Sequence, residues 1–229
     1  VVTLAHGIGT LLDEHPMLIR AFFCGLIIGA VIHVGRQVGH WSVAAGAGLV
    51  VGTLVAWGIA QLTPAALGLT PLVAFGAGFV AISAMVLPGI SGSFILLLLG
   101  LYEPILDAIR EPALATLAIF AGGCLAGLVA MARLVSATLA RFPSVTLAVL
   151  TGFMIGSLTN LWPWKQVVAW RSRSGGEVEP LMYENLAPWH YTELTGSAHQ
   201  AGTVLTLLVA GMVMILLVEW LGAGRVAKR

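Results

Sequence analysis

The chain has 229 residues, of which 59% are hydrophobic and only 9% are charged, and its formal net charge is +1. Soluble domains carry roughly 25% charged residues, so a chain this apolar would have nowhere to place its surface in water. Its 11 Lys and Arg residues are scattered, which excludes a basic stripe for nucleic acid. The composition predicts an all-α integral membrane protein, because the apolar runs are long and continuous rather than alternating.

Five apolar segments are predicted to span the membrane, so that residues 1–229 form one polytopic, multi-pass helical domain. In chain order they cover residues 17–34, 43–62, 113–138, 145–161 and 201–221. Residues 163–199 are polar and aromatic, which predicts a surface loop near the lipid headgroups. Cys24 and Cys124 lie inside apolar runs as packing residues, so neither a metal site nor a cofactor is predicted.

Residues 72–101 form an apolar segment with a break in its middle. As one helix it would be about 45 Å long, which exceeds the ~30 Å hydrocarbon core of a bilayer. The break reads Pro-Gly-Ile-Ser-Gly-Ser over residues 88–93. Broken backbone survives in lipid only where protein buries it or a cavity hydrates it. The segment therefore predicts a re-entrant hairpin, with residues 72–86 entering the membrane and residues 91–101 returning.

An internal repeat is predicted from three residues that recur at a constant offset of 127 positions, since 143 − 16 = 127. They are Pro16, Gly25 and Gly29 in the first copy and Pro143, Gly152 and Gly156 in the second. Three spans, 17–34, 43–62 and 113–138, lie between the start of the first copy and the start of the second if the hairpin does not cross. The second copy would then enter from the opposite side, as in the inverted-topology repeats of secondary transporters.

The two copies are predicted to have unequal extents. Repeat two covers residues 72–221 and includes the hairpin at 72–101, whereas only a remnant of repeat one is present, over residues 1–62. A hairpin precedes the second copy, so an equivalent first hairpin is expected upstream of Val1, in a longer protein.

The returning half-helix offers groups that bind a phosphate. Its first backbone N–H groups have no helical partner, and its dipole end is positive. Ser91 and Ser93 add hydroxyl donors, while Gly89 and Gly92 remove steric bulk. Together with Pro88 they predict a cradle for the phosphate of a lipid. The alternative is a helix break that only relieves packing.

The same residues carry a resemblance to a known family. Residues 84–94 read Ala-Met-Val-Leu-Pro-Gly-Ile-Ser-Gly-Ser-Phe, residues 98–103 read Leu-Leu-Gly-Leu-Tyr-Glu, and residues 141–143 read Arg-Phe-Pro. This pattern resembles the family once filed as domain of unknown function 368, now associated with PopT-type polyprenyl-phosphate translocases. A first motif copy, usually Pro-Gly-Val-Ser-Gly-Gly-Thr in that family, is absent from this sequence.

The resemblance implies a lipid flippase that is not an enzyme. Its substrate would be undecaprenyl phosphate or a similar polyprenyl-phosphate carrier lipid, moved across the cytoplasmic (inner) membrane during cell-envelope recycling and cell-wall biogenesis. Gly89, Ser91, Gly92 and Ser93 would hold the phosphate. Glu103 would act as a gate or proton carrier, or else be an interfacial carboxylate. Arg133 would reach the headgroup, or else snorkel to the interface.

Three alternative functions stay open. A membrane-embedded polyprenyl-diphosphate phosphatase also uses a Pro-Gly-x-Ser hairpin, but its motif has Arg where this chain has Gly92, and no span here holds a Glu-x-x-Glu pair. A small-solute or ion carrier would need polar residues along several spans. A structural membrane subunit is the third alternative.

The expected partners are a lipid-linked phosphate and membrane lipids, with no nucleic acid. A homodimer is one of the oligomeric states that stay open. The basic residues near the end of the chain, Arg225, Lys228 and Arg229, favour a cytoplasmic C-terminus.

Overall fold

The computed structural model describes residues 16–65, 67–172, 178–195 and 200–226. Nine α-helices occur in these ranges: α1 (Pro16–Arg36), α2 (Val43–Ala60), α3 (Pro71–Val86), α4 (Gly92–Leu98), α5 (Tyr102–Arg110), α6 (Leu114–Arg141), α7 (Pro143–Ser157), α8 (Pro188–Thr195) and α9 (Ala201–Val226). A 3₁₀ turn, Leu158–Leu161, extends α7, and the strands β1 (Lys165–Ser172) and β2 (Val178–Asn185) follow it.

Five helices of the described ranges are long and apolar enough to cross a membrane. They are α1, α2, α6, α7 with its 3₁₀ extension, and α9, and they match the five predicted spans to within a few residues. The prediction of an all-α polytopic membrane protein is confirmed.

Local sequence signals fix two of the helix starts. The Ser42 hydroxyl accepts a hydrogen bond from the Ala45 amide at 3.2 Å, which caps the N-terminus of α2. The Thr70 hydroxyl accepts from the Val73 amide at 3.3 Å at the start of α3. Pro71 follows as the first helical residue, a position where its missing N–H costs nothing.

The chain divides into two compact units. Unit 1 comprises residues 1–33 and 158–229, and unit 2 comprises residues 34–157. Unit 2 contains α2 to α7, and unit 1 contains most of α1, the two strands, α8 and α9.

Helices α3 and α6 of unit 2 pack closely and run parallel. A Cβ on Gly123 would meet the carbonyl of Phe75, and a Cβ on Gly127 would meet the carbonyl of Phe79. Both partner positions advance by four residues, so the two helices point the same way. Small residues at such contacts let two backbones approach closely in a membrane.

The repeated glycines pack against a neighbouring helix in both copies. In unit 2, a Cβ on Gly152 of α7 would meet the carbonyl of Leu49 in α2. In unit 1, a Cβ on Gly25 of α1 would meet the carbonyl of Leu208 in α9. Both added Cβ atoms would meet a backbone carbonyl of the partner helix, so the two copies share this packing contact as well as their sequence pattern.

The partner helices α2 and α9 show the reciprocal equivalence. A Cβ on Gly52 would meet the carbonyl of Val149, and a Cβ on Gly211 would meet the carbonyl of Phe22. Val149 and Phe22 again differ by 127 positions, whereas Gly211 and Gly52 differ by 159, since 211 − 52 = 159. Leu208 and Leu49 differ by 159 as well. The α1–α9 pair therefore repeats the α7–α2 pair.

The two offsets reveal an exchange of partners and an insertion. Each repeated helix packs in parallel on the helix that follows the other copy, α1 on α9 and α7 on α2. The second offset exceeds the first by 32 residues (159 − 127 = 32), which is the extra length that the chain carries between α7 and α9. The strands β1 and β2 lie in this insertion.

The insertion has regular structure where the sequence predicts a surface loop at residues 163–199. Strands β1 and β2 form an antiparallel hairpin, and the short helix α8 follows. The base of the β1–β2 hairpin is connected to the 3₁₀ turn, because the Asn185 side-chain amide donates to the Thr159 carbonyl at 3.0 Å. The core of unit 1 joins Ala21 of α1, Trp164 and Val204 of α9.

Candidate functional site

The broken segment forms a helical hairpin that returns to its starting end. Helix α3 runs to Val86, the chain turns over residues 87–91, and α4 returns to Leu98. The amide of Ala65, which precedes α3, donates to the Leu98 carbonyl at 2.7 Å. The amide of Leu67 donates to the Leu99 carbonyl at 3.3 Å. These bonds place the end of α4 beside the start of α3, as the predicted hairpin requires.

The turn depends on Gly89. Its φ of +94° lies in a region that L-residues with a side chain rarely adopt. A Cβ there would lie 2.5 Å from the Ser157 hydroxyl and 2.7 Å from the Ser157 Cβ. Pro88 is half-buried beside it. The tip of the hairpin therefore packs against the end of α7, where that helix gives way to its 3₁₀ extension.

Ser91 and Ser93 form the polar part of the hairpin. Both are exposed, and their hydroxyl oxygens lie 2.8 Å apart. Ser91 occupies the N-cap position of α4 in extended conformation, but its side chain makes no capping bond. With seven residues α4 is a short helix, so its dipole adds little to anion binding. The donors that the turn offers to an anion are therefore its hydroxyl groups and first-turn N–H groups.

Gly92 has a packing role inside the hairpin. A Cβ on Gly92 would lie 2.9 Å from the Ala81 carbonyl of α3. Because Gly92 has no Cβ, the two half-helices can approach each other, and the serines stay at the tip of the hairpin.

The returning half-helix ends earlier than the predicted residue 101. Gly100 has a φ of +69°, its amide donates to the Leu97 carbonyl, and the Leu101 amide donates to the Leu96 carbonyl. This is a Schellman motif, which ends a helix at a left-handed glycine. Helix α5 then leaves at an angle of 109° to α4. The earlier end of the helix has a signal in the sequence, because Gly100 follows a run of leucines.

Glu103 lies at the start of α5, away from the serines. Helix α4 separates the two positions by about 10 Å, from its seven residues at 1.5 Å each. The Glu103 side chain is half-buried and has an interaction partner. The structure does not bring this carboxylate to the hydroxyls of Ser91 and Ser93.

Arg133 lies on α6 and is exposed. The register of α6 on α3 places it level with Met85, close to the hairpin turn. However, it lies about 100° around α6 from the face formed by Gly123 and Gly127, at 100° per residue. It also lies about 28 Å along the helix from Leu114, which is close to the thickness of the hydrocarbon core. This position suits a side chain that reaches the membrane interface.

Ser157 is the contact that sequence reasoning missed. It is 3% exposed, and its hydroxyl donates to the Met154 carbonyl at 2.8 Å. Its place in the repeat gave no signal, because the first copy has Ala30 at the equivalent position. The ligand roles predicted for Pro88, Gly89, Ser91, Gly92 and Ser93, and the roles of Glu103 and Arg133, stay predictions.

Comparison with known proteins places the chain in a family. A family model described as undecaprenyl phosphate translocase-like matches residues 1–179. A polyprenyl-phosphate transporter of Vibrio cholerae serotype O1 is 42% identical over 219 residues, which cover 96% of this chain and 71% of that protein. A polyprenyl-phosphate transporter of Staphylococcus aureus is 32% identical over 179 residues, which cover 70% of this chain and 63% of that protein. No solved structure matches the chain. The chain belongs to the undecaprenyl phosphate translocase-like family.

Proposed function

We propose that this protein transports polyprenyl phosphate and moves undecaprenyl phosphate, or a similar carrier lipid, across the cytoplasmic membrane for cell-envelope recycling. The observation that carries the proposal is its membership of a translocase-like family, together with two relatives that are named as polyprenyl-phosphate transporters. The alignments cover 71% and 63% of those relatives.

The transport problem is electrostatic. Burying an unpaired ionised group in a low-dielectric medium costs far more than burying a neutral one. A transporter must therefore replace the water around the phosphate with donors inside the membrane. We assign this role to the hydroxyls of Ser91 and Ser93 and to the first-turn backbone amides of α4, with Gly89 and Gly92 keeping the turn open.

The repeat supports access from two sides. From the start of α1 to the start of α7 the chain has three candidate spans, α1, α2 and α6, if the α3–α4 hairpin returns to its side of entry. The parallel contact between α3 and α6 agrees with this count, because α6 must start on the side where α3 starts. A frame of inverted repeats can open alternately to either side of a membrane.

The hairpin favours binding over hydrolysis. The polyprenyl-diphosphate phosphatase alternative needs an Arg next to the motif serine and an acid–base group in reach. Gly92 takes the place of that Arg, and Glu103 is separated from the serines by the length of α4. The named relatives are transporters, which agrees with a function other than catalysis.

The five candidate spans make this a multi-pass membrane protein. We place it in the cytoplasmic membrane with its C-terminus on the cytoplasmic side. The support for this orientation is the basic sequence that follows α9.

Reconstitution tests the function directly. The full-length protein in liposomes should accelerate the movement of a short-chain polyprenyl phosphate between leaflets, measured by a headgroup-accessibility assay against empty liposomes. Ser91→Ala with Ser93→Ala should slow this movement at least tenfold, because the phosphate loses two hydroxyl donors. Thr206→Ala removes an exposed hydroxyl from α9 and should leave the rate unchanged. Equal rates for protein-containing and empty liposomes would refute the transport function.

Glu103 and Arg133 need separate tests. If Glu103 carries a proton, Glu103→Gln should abolish the pH dependence of transport. If Arg133 contacts the headgroup, Arg133→Gln should weaken lipid binding, whereas Arg133→Lys should retain most of it. Unchanged transport in both Gln variants would assign these residues to the membrane interface.

A further inference from the structure

A second cluster of cations lies in unit 1, outside the hairpin. The Arg20 guanidinium carbon is 4.9 Å from the centroid of the Tyr183 ring, and the Lys165 ammonium nitrogen is 5.6 Å from the same centroid. Arg20 lies on α1, whereas Lys165 and Tyr183 face each other diagonally across the β1–β2 hairpin. Three separate stretches of chain therefore bring two positive charges to one aromatic ring.

The cluster holds more cationic donors than its neighbours use. The ion pairs His33–Glu219 and Arg110–Asp107 do not include this cluster. Lys165 donates one hydrogen bond, to the Asn160 carbonyl at 2.9 Å, although an ammonium group has three donors. In the described part of the chain, Arg20 contacts the Tyr183 ring and has no carboxylate partner.

The two positive charges repel each other, and a bound anion would reduce that repulsion. Burial and, second, the positive charge of Arg20 lower the pKa of Lys165 from 10.5 to about 8. Two cations that served only as membrane anchors would extend separately toward water. A single lysine would suffice to bond the Asn160 carbonyl. The convergence of two cations on one ring therefore needs a further explanation.

The position of the cluster corresponds to the headgroup level of a membrane. Arg20 is four residues into α1, about 6 Å from the start of that helix. Trp162 and Trp164 lie nearby in the chain with their rings 5.6 Å apart, and the Trp162 indole donates to the Leu186 carbonyl at 2.7 Å. Tryptophans are enriched at both membrane interfaces.

We propose that Arg20 and Lys165, positioned by Tyr183, bind the phosphate monoester headgroup of a membrane lipid. A monoester phosphate carries up to two negative charges, which two cations neutralise, and the Arg fork can bind two of its oxygens. The β1–β2 hairpin lies in the 32-residue insertion (159 − 127 = 32), so the second repeat supplies Lys165 from a segment that the first repeat lacks.

The site lies on one side of the membrane. Helices α1 and α9 of unit 1 run parallel, so the start of α1 lies on the side opposite the end of α9. With a cytoplasmic C-terminus, the cluster faces the outer leaflet. We infer that it captures the lipid phosphate there before transport, which rests on the proposed function.

The test measures binding of a short-chain polyprenyl monophosphate to the full-length protein in nanodiscs. Arg20→Gln with Lys165→Gln should weaken binding at least tenfold, whereas the control Arg110→Gln, which removes an exposed cation of α5, should not change it. Arg20→Gln alone leaves the Lys165 bond to the Asn160 carbonyl in place. This single variant should weaken binding severalfold, and it keeps the test valid if the double variant does not fold.

Two comparisons separate the sources of the phosphate and the two proposals. A polyprenol should fail to compete, and inorganic phosphate should compete only at concentrations at least a hundredfold higher; equal competition by inorganic phosphate would overturn the assignment to a lipid. If the double variant binds and transports like the wild type, the capture site is wrong while the transport function stands. If the wild type binds the lipid through these cations but does not move it, the transport function fails and the site stands.

Discussion

Gly89→Ala should destabilise the hairpin through two effects that can be measured apart. The first is the backbone, because an Ala at a φ of +94° costs about 1–2 kcal/mol. The second is packing, because the new Cβ would lie 2.7 Å from the Ser157 Cβ, where ordinary contacts begin at 3.4 Å. Overpacking of this kind costs about 1–3 kcal/mol. Together they predict a loss of about 2–5 kcal/mol in the free energy of unfolding.

A double-mutant cycle with Ser157→Gly separates the two contributions. Removing the Ser157 side chain should relieve the overlap with it and leave the backbone cost of Gly89→Ala, about 1–2 kcal/mol, together with the 3.2 Å contact of the new Cβ with the Phe153 carbonyl. The coupling free energy between the two substitutions should therefore be about 1–3 kcal/mol. Unfolding in mixed micelles with increasing dodecyl sulfate gives all four free energies, including the separate cost of Ser157→Gly.

A matched control lies in the same hairpin. A Cβ added to Gly76 of α3 would meet nothing within 4 Å, so Gly76→Ala should be neutral or stabilise the helix by up to about 1 kcal/mol. The reasoning would be refuted by equal effects of Gly89→Ala and Gly76→Ala, or by a coupling near zero. Either result would mean that the turn does not rest on the end of α7.

Three further predictions follow from the packing and the charges. Gly52→Ala and Gly211→Ala should each cost about 1–3 kcal/mol, since both new methyl groups meet a backbone carbonyl in equivalent places. The control Gly46→Ala, whose new Cβ meets nothing within 4 Å, should not destabilise the protein. Thermal unfolding compares the three variants. Leu101→Ala should cost about 2–5 kcal/mol in the same assay because this side chain is 0% exposed. The free energy of unfolding of the wild type should rise between about pH 8 and 10.5, because Lys165 releases its proton in the folded state while the unfolded chain keeps it. Unfolding measured at about pH 7 and pH 10 should show this rise in the wild type and not in Lys165→Met.

The sequence was sufficient to predict the spans and the turn because both have strong local causes. Long apolar runs predict the five spanning helices, and Pro88 with Gly89 interrupts the apolar segment between two of them. The repeat was also readable, because a proline and two glycines recur in apolar sequence. The spans, the turn and the pattern within each copy of the repeat all depend on residues that are close together in the chain.

Other features depend on contacts that a single sequence does not show. The Ser157 contact with Gly89 joins residues 68 positions apart (157 − 89 = 68) and has no local pattern. The β1–β2 hairpin was predicted as a loop, although the Val- and Trp-rich stretch of residues 165–172 was a usable strand signal. The second offset of 159 emerged only from the packing, because Gly52 and Gly211 share few neighbours in sequence (211 − 52 = 159).

The repeat is preserved in its packing and lost in its charges. The glycine contacts of α1 on α9 recur in α7 on α2, yet Arg20 corresponds to Leu147 at the offset of 127. The ion pair His33–Glu219 is not duplicated either, since Ala60 takes the place of Glu219 at the offset of 159. Under the proposed function, a repeated frame with two equivalent packings would let the molecule open to either side of the membrane. Charges that occur in one copy make the two sides chemically different. A transporter that takes up an anionic headgroup on one side needs this difference, and the proposed site at Arg20 in unit 1 would provide it.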